Sequence, residues 1–189
     1  MRFREDKATA LASFFLEKAG GELEYLKLLK LMYLVERQSL RLLSSSVTGD
    51  TFYSMKHGPV MSATFDLIKD NEAWLDFDHD NWKRFIAPAK NFRIKLKTAF
   101  PLDEALSPAE ISLADTIWNE FKDVDQWGLV EWIHETFPEW QQTRSRVPIT
   151  VEDLFRAFNF SEEQVKSRMT LQAQIDEFDR LLEESAHVA

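Results

Sequence analysis

Residues 24–43 read EYLKLLKLMYLVERQSLRLL. Leu26, Leu29, Tyr33 and Leu40 recur at helical spacing along one side, and Leu28, Leu31, Met32, Val35 and Leu42 along another. The stretch therefore predicts one helix whose circumference is almost wholly apolar, which places it inside a core with other elements packed around it. A narrow polar line survives on it, formed by Lys27, Lys30, Arg37 and Arg41, with Leu34 filling the gap. Every polar member of that line is basic. It reads either as a groove or ridge that recognises an acidic partner, or as the wetted edge of a core helix. In the second case its cations are matched by acids from the C-terminal half, since long basic side chains lay their stems over apolar surface and keep their heads in water.

Upstream, Ala8, Leu11, Ala12, Phe15 and Ala19 give a first helix over about Arg4 to Ala19, stopped by Gly20-Gly21. Downstream, the Ser44-Ser45-Ser46 loop and the Gly49-Asp50 turn lead into Thr51–Lys56, whose β-branched and aromatic content predicts a short strand. His57-Gly58-Pro59 breaks it. Pro59 suits the first turn of a helix running from Val60 to Ile68. Trp82–Ile86 and Phe92–Lys97 then read as two short strands joined through Ala87–Asn91. This hairpin carries Lys83, Arg84, Lys90, Arg93, Lys95 and Lys97 and no acid. With Trp82, Phe85 and Phe92 interleaved it could serve a nucleic acid, although lysines on a hairpin's outer face also confer solubility and block edge pairing.

Helices dominate beyond Leu106. Ser107-Pro108-Ala109-Glu110 supplies a capping hydroxyl, a proline for the first helical position and a capping-box glutamate ahead of Ile111, Ala114, Ile117, Trp118 and Phe121. A shorter helix starts near Asp125, carries Leu129, Trp132 and Ile133 on one face and ends before Pro138. Thr150-Val151-Glu152-Asp153 and Ser161-Glu162-Glu163-Gln164 open two more. In the last helix Leu171, Ile175, Phe178 and Leu182 have coiled-coil spacing, but the preceding seam positions fall on Gln164 and Arg168. Docking on the chain's own core is the favoured reading, with a homodimer through this helix as the alternative. The fold class is thus mainly α: a compact helical domain over residues 1–145 with a short strand and a small β-hairpin. Residues 146–189 form a helical extension that packs on the same domain or serves as a partner or dimer contact.

Of 189 residues, 23 are Lys or Arg and 32 are Asp or Glu, a net charge of −9 that argues against generic binding of phosphate backbones. The charge is divided unevenly, +3 over residues 1–100 and −12 over residues 101–189, as expected if the two halves fold against each other or meet partners of opposite sign. There is no cysteine, no leader-like start and no apolar run near the roughly 20 residues of a membrane span. A cytoplasmic protein is expected. His57, His79, His134 and His187 have no histidine partner at helical spacing, and Glu131/His134 lacks the second copy a di-iron site needs. Asp76, Asp78 and Asp80 lack the glycine and terminal glutamate of a calcium loop, and read as solvated turn acids. No phosphate-cradling or nucleophile-elbow motif occurs. The residues predict no enzyme, no metal and no cofactor.

One ordered set remains: Lys27-Leu28-Leu29-Lys30-Leu31-Met32-Tyr33-Leu34, the Thr51–Val60 segment ending in Gly58-Pro59-Val60, the helix after Leu106-Ser107, and Leu129 through His134 followed by Trp140. Over roughly residues 5–145 it resembles the Panacea family of SocA-like antitoxins. The hairpin is more basic than that pattern requires, and the tail after Arg146 extends beyond it. The resemblance implies an antitoxin module of bacteria or their prophages that neutralises a co-expressed toxin by protein–protein contact, in some members by delivering it to a protease or its adaptor. It implies no cofactor and no catalytic triad. It gives Gly58, Pro59 and Val60 a scaffold role and makes His134 and Trp140 family positions. The alternative function is a nucleic-acid-binding regulator using the basic hairpin 82–97.

Overall fold

A computed structural model describes residues 2–71, 75 and 77–186. His187 and Asp76 lie outside the described residues. The element order is α1 (Glu5–Lys18), β1 (Glu22–Glu24), α2 (Tyr25–Leu43), β2 (Phe52–Met55), β3 (Gly58–Met61), α3 (Ser62–Lys69), α4 (Asp80–Phe85), β4 (Ile86–Lys90), β5 (Arg93–Leu96), α5 (Pro108–Phe121), α6 (Gln126–Thr136), β6 (Val147–Ile149), α7 (Val151–Ala157) and α8 (Glu162–Ala186). The fold is mainly α with two small three-stranded sheets, ordered β1-β5-β4 and β3-β2-β6.

The apolar circumference of α2 is answered on every side. Leu28, Leu31, Met32, Tyr33, Val35 and Leu40 are all fully buried, and α1, α3, α5, α6, α7, β1 and β3 all pack on this helix. Each such side chain taken out of water contributes about 1.5–3 kcal/mol. Three ion pairs also connect the two oppositely charged halves. Lys7 pairs with Glu110 at 2.7 Å, Lys18 with Asp115 at 2.6 Å and Arg37 with Glu139 at 2.7 Å, each joining the basic half to the acidic half.

Three local expectations are corrected. Pro59 does not open a helix: Gly58–Met61 is a strand paired with Phe52–Met55, and the helix starts at Ser62. Pro59 fits there because β3 is a sheet edge, where a missing N–H breaks no ladder. The cap for α3 comes from Asp50, whose carboxylate accepts from the backbone N–H groups of Ala63 and Thr64 at 2.9 Å and from Thr51 at 2.7 Å. Second, Trp82 to Phe85 is helical, and the hairpin strand begins only at Ile86. Its turn is tighter than expected, with Asn91 and Phe92 both at positive φ. Third, the seam of the last helix docks only at its start. Arg168 donates to Arg41 O and Ser44 Oγ and the neighbouring Val165 and Gln172 are buried, whereas Leu171 and Phe178 are exposed.

The starts of α5, α6 and α7 follow their sequence signals. Ser107 and Glu110 form the reciprocal capping box of α5, and Thr150 and Asp153 that of α7. Asp125 caps α6 through the N–H groups of Trp127 and Gly128. The segment after residue 145 is joined to the rest by β6, which pairs with Phe52–Ser54, and by Leu154 and Phe155, both fully buried.

Candidate functional site

The polar line on α2 is not a continuous solvent-facing stripe. Lys27 is 6% exposed and donates to Lys122 O at 2.7 Å, and its ammonium lies over the Trp118 ring. Lys30 is fully buried and donates to Pro59 O at 2.6 Å. The Arg37 guanidinium pairs with Glu139, which also accepts from Tyr33 Oη, and it lies 3.9 Å from the Phe137 ring centroid. Only Arg41, at the helix end, is exposed. The two lysines therefore cannot be exchanged for glutamate without disturbing the fold, because each acid would be buried without a partner.

What the line does instead is join the family-like segments. Gly58 sits at φ +93°, and a Cβ placed there would come within 3.1 Å of Lys30 Nζ and 3.6 Å of Ile133 Cγ2. A glycine suits this backbone conformation, and a Cβ there would crowd the lysine by a few tenths of an ångström. Lys30 thus passes beneath the β2–β3 turn to reach the Pro59 carbonyl. With burial the sole cause of shift, its amine falls from 10.5 to about 7. His134 of α6 stacks flat on Trp140 at 3.7 Å, and Trp140 Nε1 donates to Met55 O at 3.0 Å. Burial, with Lys30 and His57 nearby, holds His134 below its ordinary value, and its buried Nε2 makes no hydrogen bond among the described residues. Gly58, Pro59, Val60, His134 and Trp140 are hence one assembly around the β2–β3 hairpin.

Beside this assembly opens a cleft of about 580 Å³. One wall is the start of α2, with Leu26, Leu29 and Lys30; the other is the hairpin, with Met55 and Val60, backed by Phe65 of α3. Asn91, Phe92 and Arg93 from the β4–β5 turn and Gln126 and Trp127 from α6 complete the rim. Trp127 is 53% exposed and Phe92 74% exposed. Trp127 meets His57 edge-on at 5.4 Å.

The basic hairpin is partly neutralised from within. β1 pairs with β5 in the register Glu22↔Lys95 and Glu24↔Arg93. Arg93 bonds both Glu22 and Glu24, and Lys95 lies 3.4 Å from Glu22. Lys97 donates to Lys83 O, and Lys83 and Arg84 lie on α4. The structure therefore disperses the basic residues of this stretch over α4, β4 and β5, with Lys97 just beyond β5. Glu131 and His134 are also separated in character, the first exposed on α6 and the second half-buried on Trp140.

Among the described residues no helix is long and apolar enough to cross a membrane. Sequence reasoning missed the three-residue strands β1 and β6, the Asp50 cap and the burial of Glu36. That carboxylate accepts from Ser46 Oγ, Val47 N and Thr48 N, holding the loop after α2 against the helix that precedes it. The available signal for Glu36 was one acid on the apolar circumference ten residues before a Ser-Val-Thr loop.

No curated protein matches the chain, and no solved structure matches it. A model of the family described as antitoxin SocA-like, Panacea domain, matches residues 28–141, from the second turn of α2 to just past Trp140. That range holds the Lys30–Gly58–Pro59 junction and the His134–Trp140 stack. With more than half of its length matched, this chain belongs to the SocA-like, Panacea-domain antitoxin family.

Proposed function

We propose that the chain is the antitoxin of a bacterial or prophage toxin–antitoxin pair, acting in the cytoplasm by binding a co-expressed toxin through protein–protein contact. The supporting observation is the family match over residues 28–141, whose internal junctions border a cleft flanked by exposed aromatic rings. Exposed Trp and Phe beside a preformed apolar cleft are the residue types that anchor protein interfaces. Binding alone neutralises the toxin, with delivery to a protease as a further route, and no bond is made or broken by this chain's side chains.

The test is co-expression with the adjacent reading frame. That frame is expected to be lethal alone and harmless with this chain present; continued lethality, with both proteins soluble, contradicts the proposal. The nucleic-acid alternative is weakened by the Glu22 and Glu24 pairing of Arg93 and Lys95. Gel-shift titration at low salt separates the two, since a regulator that neutralises phosphates loses affinity steeply as salt rises.

A further inference from the structure

The cleft beside the β2–β3 turn has an unbalanced charge. Of its charged lining groups, Glu24 and Arg93 pair with each other, which leaves Lys30 and Lys56. Lys30 lies fully buried behind the wall, and its one hydrogen bond among the described residues goes to a neutral carbonyl, that of Pro59. Lys56 and His57 form the exposed turn directly above it, and no ion pair to either occurs among the described residues. Burial alone holds this amine near 7, and a carboxylate brought into the cleft favours its charged form. Most of the remaining lining is apolar, with Leu26, Leu29, Met55, Val60 and Phe65, and the amide side chains of Asn91 and Gln126 complete it. At about 580 Å³ it has the size of a ligand-binding cleft, typically about 300–1,000 Å³.

The rims point to a polypeptide occupant. Trp127 and Phe92 both line the cleft and are mostly open to solvent, and Phe92 is held at φ +63°, a backbone conformation that aromatic residues seldom adopt. Such rings, set around a desolvated centre with charges at one end, match the anatomy of a protein interface.

We propose that this cleft seats a segment of the toxin presenting a large apolar side chain next to a carboxylate, an inference that rests on the antitoxin reading above. The apolar side chain enters between Leu26, Leu29 and Val60. The carboxylate settles on the Lys56-His57 turn, over the buried Lys30.

Two experiments on the full chain test it. In the first, the blocked peptide Ac-Gly-Phe-Asp-Gly-NH2 and its Phe-Asn counterpart are titrated while amide and indole NMR signals are followed. Both are expected to move Trp127 and residues 55–60, with the Asp peptide binding about threefold more tightly or better, and Lys56→Gln or Lys30→Met bringing the ratio toward one. Equal binding of the two peptides to the wild type, or no shifts at these residues up to about 10 mM peptide, overturns the proposal. In the second, Trp127→Ala with Phe92→Ala, both exposed positions, is co-expressed with the toxin. Loss of rescue with an unchanged melting temperature supports the cleft as the toxin's seat. Full rescue by the double variant rejects it while leaving the antitoxin reading intact, whereas failure of rescue by the wild type rejects that reading and leaves the peptide titration to decide on the cleft. Concentration-dependent self-association abolished by Trp127→Ala would place a second copy of the chain there and overturn the proposal.

Discussion

Gly58 and Lys30 are the residues on which the family-like segments turn. A methyl group at Gly58 meets Lys30 Nζ at 3.1 Å and also forces φ +93° on a residue with a Cβ. Gly58→Ala is expected to cost about 1–3 kcal/mol in urea unfolding. Adding Lys30→Met should recover the steric part only, so the two substitutions are expected to be non-additive by more than the roughly 0.3–0.5 kcal/mol seen for independent sites. Lys30 also sets a pH dependence. Its folded value of about 7 lies below the unfolded 10.5, so the unfolded chain binds the extra proton between these limits and stability rises with pH across that window. Burial lowers Lys27 as well, in the same direction. Lys30→Met is expected to flatten the rise between pH 7 and 9.5 and to stabilise the chain by a few kcal/mol at pH 7 or below. An unchanged slope would show that the amine is solvated in solution.

At the scale of elements, local chemistry was legible and distant chemistry was not. Ser107 and Thr150 announce their helices because capping is a four-residue event, and both boxes form. Ser107→Ala is expected to lower stability by about 1 kcal/mol, read from the denaturation midpoint at unchanged slope. The start of α3 was misread because its cap, Asp50, lies twelve residues upstream, leaving Pro59 as the nearest start signal. Asp50→Ala orphans the N–H groups of Thr51, Ala63 and Thr64 and should cost more than Ser107→Ala, about 2–4 kcal/mol. β1 and β6, three residues each, are too short for alternation to show in sequence; their pairing partners, β5 and β2, create them. The polar line on α2 was legible as a pattern, but its burial depended on Pro59, Lys122 and Glu139, which only the tertiary fold brings to it.

For the whole molecule, the charge split between the halves was readable, and the pairs Lys7–Glu110, Lys18–Asp115 and Arg37–Glu139 are contacts that join the two. Lys18 and Asp115 are each more than 40% exposed, so screening that pair with 1 M salt is expected to change stability by less than about 1 kcal/mol. The cleft was not readable in the same way, because its lining comes from four separated stretches: residues 24–30, 55–65, 91–93 and 126–127. The proposed function rests on recognition by contact. The most direct measurement is reconstitution of the inhibited toxin from the two purified proteins, followed by separation in denaturant, intact-mass determination of each chain and refolding of the toxin. Unchanged masses and full recovery of toxicity are the expected result; a mass change on either chain, or a toxin left inactive after removal of this protein, would contradict neutralisation by binding alone.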